Sequence, residues 1–285
     1  MPLLSRFTTF VMLLGALLPA PKAGAQEASG WTQGHSSRVR LIAGGGPPEA
    51  LLAGIQIELD AGFKTYWRSP GEAGLPPAFD WSRSVNVEGV EVLWPAPSRF
   101  EDPGGIVYGY GGGVLFPVRV RPQDPAKPVT LAVKLDYGVC KDICIPAGAE
   151  LLLKLPKSAA PALRSALDGA LARIPPPQPL GAEGPLSVLS AAPTSADGKP
   201  RLAVSVRAPA GSRPSLFVEP PENWFLLAPV EPTASAAGTG ARTFLVEVLE
   251  RPAAASGPIE VRFTLVAGDK AIESTARLDA AELGR

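Results

Sequence analysis

The chain has 285 residues, with 27 basic side chains matched by 27 acidic ones. A balance of that kind leaves no polybasic surface for nucleic acid or anionic lipid. It carries one histidine (His35), two methionines (Met1 and Met12) and two cysteines (Cys140 and Cys144). No histidine-rich or methionine-rich metal site can be assembled from that set. A Ser–His–Asp triad would depend on His35, which lies in a polar stretch and reads as a surface residue.

In chain order, the first element is a short basic region with Arg6, then an apolar run from about Phe10 to Leu18, then Ala23-Gly24-Ala25. That layout is expected of a secretory signal peptide over residues 1–25. The apolar run is shorter than the ~20 residues of a spanning helix. Its only ionisable side chains are Arg6 and Lys22, so its removal leaves 25 basic against 27 acidic residues, a net charge of −2. The 33 prolines and 30 glycines favour short strands and turns over helices.

Strands are expected at Arg38 to Ile42, Leu51 to Leu59, Gly62 to Trp67, Val90 to Leu93, Val114 to Val120, Leu131 to Val139 and from Leu151. Period-2 alternation marks several of them, with Ile55, Ile57 and Leu59 on one face. Ser69-Pro70-Gly71 and Gly74-Leu75-Pro76-Pro77 read as turns. The fold class expected is all-β, with an immunoglobulin-like β-sandwich over residues 30–157. The one expected helix, Pro161 to Ile174, carries Leu163, Leu167, Leu171 and Ile174 on one stripe. With the Pro- and Gly-rich stretch that follows, it makes a helix and linker at 158–184. A second all-β domain is expected at 185–285, with Asp197-Gly198 and Gly268-Asp269 as hairpin turns. Trp224 and Phe225 read as packing residues. Gly44 to Gly46 and Gly111 to Gly113 read as loops, because neither opens a helix that would cradle phosphate.

The chemistry points to Cys140 and Cys144. Four residues of straight strand span roughly 13 Å. A disulfide needs its α-carbons within about 6.8 Å. The pair must therefore close over a turn, either a hairpin through Lys141-Asp142-Ile143 or a single helical turn. So short a loop gives only ~2 kcal/mol of stabilisation in the chain-entropy model. That is little for a two-domain chain, and it favours exchange chemistry over a staple. Lys141 favours a nearby thiolate and Asp142 opposes it.

Tyr137-Gly-Val-Cys140-Lys-Asp-Ile-Cys144-Ile-Pro146, with Val92-Leu-Trp94-Pro95 and Phe100-Glu101-Asp102 through Tyr110, resembles the N-terminal periplasmic domain of the thiol:disulfide interchange protein DsbD. The resemblance covers roughly residues 30 to 157. It implies an immunoglobulin-like fold, periplasmic location and electron transfer through Cys140 and Cys144. It implies a thioredoxin-like or membrane electron donor and periplasmic thiol–disulfide proteins as acceptors, with no cofactor and no metal. It also implies that the loop from about Phe100 to Tyr110 caps the cysteines, with Phe100, Asp102, Tyr108, Tyr110 and Tyr137 around them. The family spaces its cysteines more widely, and its cap carries an aromatic where this chain has Pro103, Gly104 and Gly105 after Asp102. Two other readings compete: a non-catalytic adaptor with a structural disulfide, and binding of a soft ion such as Cu(I) by the two thiolates.

Overall fold

The computed structural model describes residues 26–232 and 241–284. The expected signal peptide, residues 1–25, lies outside the described residues. Among the described residues no helix is long and apolar enough to cross a membrane.

The first domain is built from β1 (Thr32–Gly34), β2 (Ser37–Gly45), β3 (Leu51–Leu59), β4 (Lys64–Gly71), β5 (Ala78–Asp80), β6 (Val87–Val92), β7 (Ser98–Asp102), β8 (Gly105–Gly111), β9 (Gly113–Pro122), β10 (Val129–Cys140) and β11 (Cys144–Leu155). One sheet runs β1-β2-β3-β9-β6 and the other β11-β10-β4-β8-β7, with β5 paired to β10. Apolar side chains alternate inward from both sheets, among them Leu41, Ile55, Phe116, Val118, Leu131 and Leu135, all fully buried. This is the sandwich expected from the period-2 pattern.

Helix α1 (Pro161–Leu171) starts on a proline, which suits the first helical turn. The predicted four-residue stripe is buried only at Leu167, with Ala170 beside it. Leu167 fits against Gly44 and Gly54, where an added Cβ would come within 2.7 Å of its methyl groups. Gly44 and Gly45 therefore belong to the end of β2, not to a loop, and Gly44 helps seat the helix. Truncating Leu167 to Ala is expected to cost about 2–4 kcal/mol in chemical denaturation.

The second domain has β12 (Ser187–Ala196), β13 (Lys199–Arg207), β14 (Ser215–Glu219), β15 (Phe225–Leu226), β16 (Ala241–Glu250), β17 (Pro258–Ala267), β18 (Lys270–Asp279) and a closing 3-10 turn, Ala280–Gly284. Its two sheets run β12-β13-β16-β15 and β14-β17-β18. Asp197 and Gly198 both have positive φ, 53° and 72°, as a tight hairpin between β12 and β13 requires. Trp224 is buried in this domain's core.

The segment between the sandwiches is held on both sides. The Ala96 amide donates to the Arg173 carbonyl, the Gln178 amide to Glu273, and the Glu273 amide to Pro176. Phe217 of β14 is buried in the first domain's core cluster, edge-on to Tyr108 at 4.9 Å and to Trp67 at 6.1 Å. Arg68 of β4 forms a two-pronged pair with Glu219, at 2.7 and 2.6 Å, and also bonds Glu273. The sandwiches thus share apolar and ionic contacts, and β4 is where they meet.

Candidate functional site

The site is assembled at one end of the six-stranded sheet. β10 and β11 pair from Val129↔Leu155 to Cys140↔Cys144, so Lys141-Asp142-Ile143 forms the hairpin turn. Of the two closures the spacing allows, the hairpin is the one adopted. Cys140 and Cys144 are disulfide-bonded with their α-carbons 4.2 Å apart. Cys140 is 1 % exposed, whereas Cys144, on the edge strand, is exposed. The two sulfurs are therefore unequal in access.

β4 lies on the other side of β10, with Lys64 opposite Cys140. Alternation sends Thr65 and Trp67 to one face and Lys64 and Tyr66 to the other. Tyr66 is buried, and its hydroxyl lies 2.8 Å from Cys140 Sγ and 2.6 Å from Cys144 Sγ. Burial, with the negative charge of Asp102 second, raises its pKa, so the phenol keeps its proton and donates. Two glycines make room for the ring. A Cβ at Gly138 would sit 2.9 Å from Tyr66 Cε2, and one at Gly74 2.4 Å from Cε1.

The segment expected as a capping loop is a hairpin, β7–β8, turning at Pro103 and Gly104. Its backbone pairing accounts for the difference, since short polar strands interrupted by glycine give a weak pattern. Phe100 packs against the small cluster of Tyr66, Val107 and Cys140. Asp102 bonds Lys64 at 2.8 Å, with both side chains largely buried, and the Lys64 ammonium lies 5.7 Å from the Phe100 ring centre. These contacts pin the hairpin tip beside the disulfide.

The other named aromatics point elsewhere. Tyr108 faces the second domain through Phe217. Tyr110 donates to the Pro95 carbonyl at 2.8 Å, and burial drives its pKa well up. Tyr137 faces the sandwich core, its hydroxyl 2.8 Å from Ser37 Oγ. The Lys141 ammonium lies over the Phe63 ring at 5.7 Å. Tyr66 and Lys64 were not expected from sequence. Alternation in Lys64-Thr-Tyr66-Trp67 indicates that they share a face, but not which strand lies alongside.

Ser69, Pro70 and Gly71 belong to β4, not to a turn. The β4–β8 register slips between Tyr66 and Gly71, an interruption where a residue without an N–H is tolerated. Among the described residues no group of three or more His, Cys, Asp or Glu is placed to hold a metal ion.

Residues 37–156 match the family model of the thiol:disulfide interchange protein DsbD, N-terminal. Among solved structures, the N-terminal periplasmic domain of ScsB from Proteus mirabilis superposes with a TM-score of 0.72 at 22 % identity, covering 89 % of this chain and 99 % of that one. Such coverage requires both sandwiches, so the likeness of fold extends past the family match. No curated protein matches the chain in sequence. The first sandwich of this chain, with the Cys140–Cys144 pair near its carboxyl end, is the part that matches the DsbD N-terminal family model.

Proposed function

We propose that the chain is a periplasmic thiol–disulfide exchange module. It takes electrons from a thioredoxin-like or membrane-bound reductant and passes them to periplasmic disulfide proteins. One observation carries this reading: the Cys140–Cys144 bridge closes a hairpin tip with one cysteine exposed and the other buried.

The unequal access suggests an order of events. A donor thiolate attacks Cys144 Sγ, a donor–Cys144 bond forms, and Cys140 leaves as a thiolate. The donor's second thiolate then attacks its own sulfur in that mixed disulfide and releases Cys144, leaving the donor oxidised and this chain a dithiol. Toward an acceptor the steps reverse. Cys144 thiolate attacks the acceptor disulfide, and Cys140 thiolate then attacks Cys144 Sγ and frees the reduced acceptor. Ile143, next to Cys144 in the chain and 72 % exposed, and Leu75, 43 % exposed and packed beside Gly138, give apolar surface at this end of the sheet, suited to a partner that presents its own sulfur from an apolar surface.

Replacing both cysteines with serine separates this reading from that of an adaptor held by a structural bridge. The variant is expected to keep its fold by circular dichroism and to lose all electron transfer from a reduced thioredoxin-like protein. Unfolding of the double variant, or wild-type protein that accepts no electrons, contradicts the exchange reading.

A further inference from the structure

We infer that Tyr66 is a catalytic residue of the exchange, its hydroxyl donating a hydrogen bond to whichever sulfur carries negative charge as the Cys140–Cys144 bond breaks or forms. The inference rests on the exchange reading and adds to it a group that no sequence motif announces.

One O–H reaches both sulfurs, at 2.8 and 2.6 Å. A tyrosine needing only a partner for its hydroxyl would be satisfied by one acceptor. Disulfide sulfur is a poor acceptor, and thiolate sulfur is a strong one. The contact therefore strengthens in the step that generates Cys140 thiolate, which is the requirement for acceleration rather than mere binding. When a donor thiolate forms its bond to Cys144 Sγ, the electron pair of the broken S–S bond goes to Cys140 Sγ. That sulfur is buried, away from the water that would otherwise solvate the charge. Tyr66 supplies the missing donor and keeps its proton, so no proton needs to move in the step.

The placement is built in. The ring is gripped between Gly138 of β10 and Gly74, and an added Cβ at either position would overlap it. Asp102 lies close enough to oppose ionisation of the phenol, and its bond to Lys64 ties it to the same corner. The donor is thus fixed before any partner arrives, and its alignment costs nothing at the moment of reaction.

The test uses the chain with both domains and two variants, Tyr66→Phe and Gly138→Ala. Phenylalanine keeps the ring and removes the hydroxyl. Alanine keeps the hydroxyl and displaces the ring. Two quantities are measured: the rate of bridge reduction by dithiothreitol, and the pH dependence of iodoacetamide alkylation of the reduced cysteines. A hydrogen bond to a charged group is worth about 1.5–3 kcal/mol, so Tyr66→Phe is expected to slow reduction about 10- to 100-fold. The same loss moves the pH at which the Cys140 thiol ionises upward by about one or more. Gly138→Ala is expected to shift both quantities in the same direction. Wild-type rates and an unmoved alkylation profile in folded Tyr66→Phe overturn the role of Tyr66 while leaving the exchange reading standing. A wild-type bridge that dithiothreitol reduces but no thioredoxin-like protein does overturns the exchange reading, and with it the catalytic role.

Discussion

Cys140→Ser is expected to trap a partner as a persistent mixed disulfide, and Cys144→Ser is expected to trap almost none. The prediction follows from access. Cys144 lies on the edge strand and is exposed, while Cys140 is closed off by Phe100, Tyr66 and Val107. In Cys140→Ser the remaining thiol reaches a partner's disulfide, forms the adduct and has no neighbour to resolve it. In Cys144→Ser the remaining sulfur is out of reach unless the β7–β8 hairpin lifts. Both variants lose turnover completely, because each needs two sulfurs to complete a cycle. Both are expected to stay folded, since a bridge closing so short a loop contributes only ~2 kcal/mol. Non-reducing electrophoresis with mass spectrometry of the adduct reads the result. Adducts formed through Cys140 would reverse the assignment.

The second large effect is expected at Arg68, where β4 meets the second domain. Arg68→Ala is predicted to destabilise the chain by about 3–5 kcal/mol. Its guanidinium is the shared partner of Glu219 and Glu273, with side chains only 15 % and 23 % exposed. Removing it leaves two carboxylates facing each other, with only the more distant Arg262 between them at 3.9 and 3.5 Å. It also strips the cation from above Trp67, 4.9 Å away. As a control, Arg83→Ala breaks a pair whose side chains are 70 % and 66 % exposed. Such exposed pairs are worth at most about 1 kcal/mol. Urea unfolding of the two variants side by side tests the contrast. Equal losses would mean that the sandwiches do not depend on this junction. Because Arg68 and Tyr66 lie on the same strand, a measured drop in exchange rate in folded Arg68→Ala would further link the second domain to the geometry of the site.

The sequence made the sandwich legible where one face is buried and the other is not. Ile55, Ile57 and the run from Leu131 to Val139 alternate because their sheets have a wet side. Ser187–Ala196 and Lys270–Asp279 are small and polar along much of their length, with few large apolar residues to mark a face, and only the turns Asp197-Gly198 and Gly268-Asp269 point to them. The hairpin of Cys140 and Cys144 was constrained by reach alone, since no straight strand closes that distance. What surrounds the bridge was less legible. Tyr108, Tyr110 and Tyr137 lie close to the cysteines in sequence or within the expected cap, yet each faces the sandwich core or the second domain. Tyr66 lies 74 positions from Cys140 and touches both sulfurs. Its role depends on β4 lying beside β10, a pairing set by the whole sheet and by no local pattern. The Pro-rich stretch after α1 reads as a linker, and its Pro176 carbonyl and Gln178 amide are bonded to Glu273. Composition reveals which residues avoid helices, not which of them find an edge strand to lie against.

The exchange reading is tested most directly by the reduction potential of the Cys140–Cys144 pair in the full chain, measured against glutathione or thioredoxin redox buffers. A bridge that cycles electrons is predicted to equilibrate between about −120 and −270 mV, the range of proteins that exchange disulfides. A potential below about −300 mV, where structural disulfides resist reduction, would contradict it.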